Sequence, residues 1–315
     1  MKKPYVSIIV PTLNEERHIS KCLESLVSLK YPKDRYEIIV VDNGSTDATL
    51  SLCGKYATSI HVFPGVNVSE IRNLGTRNAK GEIFAFIDGD CVADACWLEN
   101  AVRSIALEPC VTGAYCGIPA ESTWVERAWS ARAPRGRREV AHIGTANLIV
   151  PATVFRQLSG FDPRLRTGED YEFCTRAKQI TKVVLDDSIR VVHCGNPKTL
   201  RDFVKREMWH GLGALGSLRT QVVDKPLIGT IGFLACTILQ IASIVLLFLG
   251  GSADLFLFAS FGIVLLLVLT VYNKRNTISG VKDAFFLFVL FYFYYLARSV
   301  SLVMLLIGMD YHRKK

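Results

Sequence analysis

The sequence predicts an α/β unit built on a mostly parallel sheet with helices on both faces, followed by an α-helical membrane region. Three observations carry this. Short β-rich runs alternate with segments of helical apolar period from Val6 onward. Beyond Leu227 the mixed composition gives way to Leu, Phe, Ile, Val and small residues. Leu227–Gly250 and Leu255–Tyr272 then run for 24 and 18 residues without a charge, each long enough to cross a hydrocarbon core of about 30 Å. A hydrophobic fraction of 50% and a mean hydropathy of +0.27 reflect that tail.

Within the first part, Val6–Val10, Ile38–Val41, Ile60–Phe63 and Ile83–Ile87 read as strands. Between the first two, Ile19, Cys22, Leu23, Leu26 and Val27 recur at helical spacing inside Glu15–Lys30. Ser45-Thr46-Asp47 reads as a helix start before Ala48–Tyr56, and Asp94 as the cap of a run carrying Trp97, Leu98, Ala101, Val102 and Ile105. Pro151 suits the first turn of a helix ending before Gly160. Asp170–Ile180 reads as a further helix and Ile189–His193 as a further strand.

The apolar run after Lys2 and Lys3 is too short for a signal peptide. Nine scattered cysteines with no C-x-x-C argue against a disulfide framework or a zinc site and for a reducing compartment. The net charge of +8 is not gathered into one tract, so nucleic acid is not an expected partner. Membrane lipid headgroups and phosphorylated substrates are.

Polar motifs fall where the strands end, the edge at which such sheets bind ligands. They are Pro11-Thr12-Leu13-Asn14-Glu15-Glu16, Asp42-Asn43-Gly44-Ser45-Thr46-Asp47 and Asp88-Gly89-Asp90. Each alone reads equally as turn and capping chemistry; three at one rim point to a site. Asp88 and Asp90 around one glycine suit Mg²⁺ or Mn²⁺ with diphosphate oxygens, or an Asp-Gly turn. Arg72, beside Asn73 on a helix, suits a phosphate, a site aspartate or a surface salt bridge. Gly168-Glu169-Asp170 opens a helix whose dipole favours acidic residues; alternatively Asp170 is a general base for an acceptor hydroxyl.

Taken together, Pro11–Glu16, Asp42–Asp47, Arg72-Asn73, Asp88-Gly89-Asp90 and Gly168-Glu169-Asp170 resemble, in order and approximate spacing, family 2 glycosyltransferases of the Rossmann-like GT-A fold. The resemblance covers about Tyr5 to Trp209. It implies an inverting transferase that uses a nucleotide-activated sugar, UDP- or GDP-linked, and a divalent metal. By position it assigns Thr12, Glu15 and Asp42 to the nucleoside, with Pro11, Asn43, Arg72 and Asn73 in the same donor-binding set. It places Asp88 near the ribose or metal and makes Asp90 the principal metal ligand. Asp170 becomes the base, with Glu169 the next candidate, and His193 a further metal ligand. Processive members carry Gln-x-x-Arg-Trp; Lys205-Arg206-Glu207-Met208-Trp209 keeps the Arg and Trp but not their spacing. Single transfer to a lipid-linked or other glycan acceptor is therefore expected. A nucleotidyltransferase using the same carboxylates and a catalytically inactive membrane scaffold are the competing readings.

The expected domains are a cytoplasmic catalytic domain over 1–197, an interfacial or linker helix over 198–224 and a membrane region over 225–315. The turn Gly251–Asp254 lacks Lys and Arg whereas Asn273–Gly280 carries Lys274 and Arg275. That asymmetry puts the catalytic domain in the cytoplasm of a multi-pass protein in the cell membrane. The third segment, Ala284–Ile307, carries Arg298 and reads either as a span or as a re-entrant or interfacial pair of short helices with Arg298 near headgroups. Lys198–Arg219 suits an interfacial or a domain-packing helix. Arg132–Arg138 is a basic loop or a phosphate contact.

Overall fold

A computed structural model describes residues 3–130, 136–165, 167–211, 225–278 and 280–307. The chain forms two compact units: Met1–Glu121 with Ala133–Asn196, and Ser122–Arg132 with Pro197–Lys315. Most of the basic stretch 132–138, all of 212–224 and the tail from 308 lie outside the described residues.

The first unit begins β1 (Val6–Thr12), α1 (Ile19–Val27), β2 (Tyr36–Asp42), α2 (Thr49–Cys53), β3 (Ser59–Val62), α3 (Val68–Arg77), β4 (Ile83–Phe86), β5 (Cys91–Ala93), α4 (Trp97–Leu107) and β6 (Cys110–Gly113). A short helix, α5 (Trp124–Trp129), belongs to the second unit. The first unit resumes with β7 (Arg137–Glu139), β8 (Leu148–Pro151), α6 (Ala152–Gln157), α7 (Glu169–Ala177), β9 (Lys182–Asp186) and β10 (Val191–His193). Eight strands form one sheet in the order β3-β2-β1-β4-β8-β6-β9-β7, and β10 pairs with β5 in a second.

β1 is central and runs parallel to β2 and β4. Its alternate side chains feed two cores, as a two-residue period requires. Val6, Ile8 and Val10 meet Ile19, Cys22, Leu23 and Leu26 of α1 and Trp97 of α4 on one face. Ile9 joins Ile71 of α3, Phe84, Phe86, Phe155, Phe161 and Phe173 on the other. Burying each such side chain contributes about 1.5–3 kcal/mol. α3 lies close on the sheet because position 75 is glycine: a Cβ there would come within 2.6 Å of Ile9 Cγ2 and 2.8 Å of Val41 Cγ2.

The sheet is mostly parallel, but β8 runs antiparallel to β4 and β6, and β7 antiparallel to β9. Neither antiparallel strand is legible in sequence. Arg137-Arg138-Glu139 has no apolar alternation because it is the outer edge of the sheet. Pro151 ends β8 and caps α6 rather than occupying its first turn. Asp94 accepts the Cys96 N–H at 2.9 Å, one turn ahead of α4.

The second unit holds α5, α8 (Leu200–Gly211), α9 (Lys225–Phe248), α10 (Asp254–Asn273) and α11 (Val281–Leu306). The last three are long and apolar enough to cross a membrane. The sequence places α5 in the catalytic domain; the structure groups it with α8 and α11 because Trp124, Val125 and Trp129 bury against Phe203, Phe286, Phe291 and Tyr294. Helix α8 buries Phe203, Glu207 and Gly211. Arg298 does not stand free for a headgroup: Nη2 pairs with Glu207 Oε2 at 3.1 Å and the guanidinium lies over the Tyr294 ring.

Candidate active site

Register brings the first two motifs together. Thr12 and Asp42 are Cα partners at the ends of β1 and β2, and Thr12 Oγ1 donates to Asp42 Oδ2 at 3.1 Å. The fully buried Asp42 carboxylate also accepts the N–H groups of Gly44 and Ser45 at 2.8 and 2.7 Å. Asn14, in the left-handed region at φ 53, accepts the Thr46 N–H through its side chain at 2.9 Å. The Glu15 N–H donates to Thr49 Oγ1 at 2.8 Å. Asn43 fastens this loop to Val66, donating from Nδ2 to its carbonyl at 2.8 Å. Pro11, Thr12, Glu15, Asp42 and Asn43 thus share one braced rim.

The next group is an ion triad. Arg72, 3% exposed, extends from α3. Nη2 donates to Asp88 Oδ1 at 2.8 Å and Nη1 to Glu169 Oε1 at 2.6 Å. Its Nε is buried with no partner among the described residues. Thr145 Oγ1 also donates to Glu169 at 3.3 Å. Glu169 is therefore braced by Arg72 and Thr145 at the start of α7, next to Asp170. Asp88, expected in a metal pair with Asp90, directs one oxygen at Arg72. Asn73, expected in the donor set, spends its amide on Phe161, donating to its carbonyl at 2.8 Å and accepting its N–H at 2.9 Å.

Asp90 gathers the metal-type donors. β5 and β10 place Cys91 opposite His193, and one donor atom each from Asp90, Cys91 and His193 lie within 4.8 Å of one another. His193 Nε2 is 3.6 Å from Asp90 Oδ1, and its Nδ1 is buried without a partner among the described residues. A carboxylate oxygen and an imidazole nitrogen this close, with a thiol in the same cluster, fit a divalent cation. The Cys91 thiol donates to Asp90 Oδ1 at 3.6 Å. Hydrogen bonding to Cys116 and burial hold that thiol well above its ordinary pKa. Gly195 closes this corner, since a Cβ there would stand 1.9 Å from Asp90 Oδ2. Cys91 and Gly195 escape sequence reading because their part depends on strand register.

Asp170 opens α7 beside Glu169. Oδ1 accepts the Tyr171 N–H at 2.7 Å, and Oδ2 faces Gly144, where a Cβ would lie 3.6 Å away. Burial raises its pKa above the ordinary value, against the lowering pull of the Tyr171 N–H and the Arg72 charge. Burial raises Glu169 likewise, with Arg72 opposing. Beneath them Asn147 is fully buried and accepts from Trp97 Nε1 at 2.8 Å. Its Nδ2 donates to the carbonyls of Ala114 and Ile189 at 3.1 and 2.8 Å.

Known proteins resemble this chain in sequence and in fold. The profile of glycosyl transferase family 2 matches residues 7–158, and that of glycosyl transferase family group 2 matches 83–309. The chain is 30% identical over 226 residues to glycosyltransferase AglE of Haloferax volcanii, covering 67% of this chain and 73% of that protein. Among solved structures, mannosyltransferase PcManGT from Pyrobaculum calidifontis, in complex with GDP-Man and Mn²⁺, is similar with a TM-score of 0.63 at 18% identity. That similarity covers 96% of this chain and 88% of that one. Residues 1–349 of Staphylococcus aureus TarS, in complex with UDP-GlcNAc, are similar with a TM-score of 0.50 at 21% identity, over 67% of this chain and 66% of that one. Family membership decides against the nucleotidyltransferase reading. With a GT-A sheet, its carboxylates at the strand ends and an apolar helical tail, the chain belongs to glycosyl transferase family 2 and is a glycosyltransferase.

Proposed function

We propose that this glycosyltransferase moves one sugar, with inversion, from a UDP- or GDP-sugar to a lipid-linked or other glycan acceptor at a membrane. The observation that carries this reading is the Arg72 bridge. It joins Asp88, after β4, to Glu169, at the start of α7, so the donor-side motif and the base-bearing helix are held by one side chain. Asp170, next to Glu169 on that helix, takes the proton of the acceptor hydroxyl. The freed oxygen attacks the anomeric carbon on the face opposite the diphosphate. The bond to the diphosphate oxygen breaks, and the electron pair leaves with the nucleoside diphosphate. A raised pKa makes Asp170 a stronger base than an ordinary aspartate, nearer the operating pH.

Asp90 and His193 would hold Mg²⁺ or Mn²⁺, which when bound offsets negative charge on the departing diphosphate. The rim of Thr12, Glu15, Asp42 and Asn43 takes the nucleoside. PcManGT and TarS, bound to GDP-Man and UDP-GlcNAc, support either carrier. Lys274 and Arg275 beyond α10, against a turn of Gly251-Ser252-Ala253-Asp254, support a cytoplasmic catalytic unit.

The test is to incubate the full chain with Mn²⁺ and a panel of nucleotide sugars, with and without membrane lipid extract, and to measure nucleoside diphosphate release. Release that needs both one nucleotide sugar and the extract is expected. Equal release without the extract would remove the membrane-borne acceptor from the proposal.

A further inference from the structure

Of the three apolar helices, α11 is set apart. α9 and α10 form an antiparallel hairpin: Gln240 Nε2 donates to Ser260 Oγ at 2.9 Å, and position 262 is glycine where a Cβ would meet Cys236 Sγ at 2.9 Å. The hairpin's open end is marked by Gly229 and Thr230, near the start of α9, and by Thr270, near the end of α10. α11 meets that end with its middle. Tyr295 Oη lies 3.1 Å from Thr270 Oγ1 and 2.7 Å from where a Cβ on Gly229 would be. Ser299 Oγ donates to the Thr230 carbonyl at 3.4 Å.

Tyr295 stands fourteen residues past Val281, about 21 Å along the helix at 1.5 Å per residue. A third span rising beside the hairpin from the 274–280 turn would put Tyr295 opposite the hairpin's middle. A helix descending beside the hairpin would put Lys282 and Asp283 deep in hydrocarbon. Neither fits a Tyr295 at the open end; a helix crossing that end does.

Both arms of α11 are held by charged helices. Trp124 of α5 stacks on Phe286 at 5.1 Å, and Trp129 meets Phe291 and Tyr294 at 5.5 and 5.6 Å; α5 itself carries Glu126 and Arg127. At the other arm Arg298 pairs with Glu207, and Ser301 Oγ donates to the Met208 carbonyl at 2.6 Å. α8 there bears Arg201, Asp202, Lys205 and Arg206. Helices with such charges belong at the edge of a bilayer, not within it. Composition is in keeping with this: among eight aromatics in the eleven residues Phe285–Tyr295, Tyr292, Tyr294 and Tyr295 are of the class that gathers at headgroup level.

We propose that α11 lies in the membrane plane at the headgroup–acyl boundary, so that the chain crosses the bilayer twice. This rests on the reading that the α9–α10 hairpin crosses a bilayer. The surface offered to lipid is the exposed stripe Val281, Phe285, Tyr292, Val303 and Ile307, whose spacings of 4, 7, 11 and 4 keep one helical face. It continues the exposed apolar surface of the hairpin, and α5, α8 and the open end of the hairpin, where Phe233 meets the rings of Tyr292 and Tyr295, cover the rest of α11. The Arg298–Glu207 pair then sits beside headgroups and water rather than in hydrocarbon.

The test uses the full chain in vesicles of phosphatidylcholine and phosphatidylglycerol. Nitroxides are attached through a genetically encoded reactive residue at Phe285, Tyr292 or Val303, and depth is read from oxygen against nickel-chelate accessibility. All three should lie at one shallow depth, about 5–10 Å below the phosphates, while labels at Leu239 and Leu265 in mid-hairpin read deep. A progressive change of about 27 Å from Phe285 to Val303, the rise of eighteen helical residues, would overturn the in-plane helix. Shallow readings at Leu239 and Leu265 would overturn the bilayer-crossing hairpin, and with it this inference.

Discussion

Arg72 Nη1 donates to Glu169 Oε1 at 2.6 Å across 97 residues of sequence, tying α3 to the first turn of α7. Both side chains are more than nine-tenths buried. Removing the arginine alone leaves Glu169 as an uncompensated buried carboxylate, a loss of about 3–5 kcal/mol. Arg72→Met should therefore lower the thermal midpoint by many degrees and abolish turnover. Arg72→Lys, a single point donor unable to reach Glu169 and Asp88 together, should fall between. A midpoint for the Met variant within 1 °C of the parent would show the triad to be incidental.

The metal assignment separates Asp90 from Asp88. Asp90 shares its donor group with His193, whereas Asp88 faces Arg72. Mn²⁺ affinity, followed by electron paramagnetic resonance of the free ion, should weaken in His193→Ala by at least the ~10–100-fold typical of lost outer-shell support. In Asp90→Ala it should be undetectable. Full activity of the parent in EDTA would remove the metal altogether.

Asn147 makes a structural claim on the same site. Its three hydrogen bonds join Trp97 to the carbonyls of Ala114 and Ile189 in a fully buried position. Asn147→Leu strands one donor and two acceptors at about 1–3 kcal/mol each, so a loss on the order of 3 kcal/mol is expected in thermal or denaturant unfolding. A loss below about 1 kcal/mol would mean that these groups find other partners.

The sequence was most readable where one strand or helix speaks for itself. Val6–Val10 and the Ile19, Cys22, Leu23, Leu26 face announce a buried strand and its covering helix by period alone, and both are found. The motif carboxylates are equally plain because they follow such strands. Relations set by register are not. His193 faces Cys91 only because β10 pairs antiparallel with β5, and no local pattern encodes that pairing. Arg137-Arg138-Glu139 reads as a loop since an exposed edge strand needs no apolar alternation. Arg298 reads as a lone charge in an apolar segment because Glu207, 91 residues away, is invisible as its partner.

Topology has its own check. Ser252 lies exposed in the turn between α9 and α10, which carries no Lys or Arg. A cysteine at position 252 should react with a membrane-impermeant maleimide from outside intact cells, and one at position 277 only after permeabilisation. The opposite pattern would invert the orientation and place the catalytic unit outside.

Asp170→Asn separates chemistry from binding and carries a second signature in stability. The amide keeps the size and the hydrogen bond accepted from Tyr171 but takes no proton, so kcat should fall ~10²–10⁴-fold while donor affinity is nearly unchanged. In the parent, activity should decline as pH falls through the Asp170 pKa, at a higher pH than an ordinary aspartate would give, because burial raises it. The same shift sets the stability effect. A carboxyl whose pKa is higher in the folded than in the unfolded state binds more protons when folded, so its contribution is full below the unfolded value and lost as pH rises through the folded one. Above that window Asp170 is ionised at a cost to the fold, and Asn removes the cost. Asp170→Asn should therefore melt higher than the parent at pH 7 to 8, with the gap closing toward pH 4 as the aspartate protonates. A variant that keeps its kcat would move the base elsewhere, and one that loses donor affinity would move Asp170 into the nucleotide site. Equal melting at every pH would mean that the carboxylate is solvated and its raised pKa is not a property of the fold.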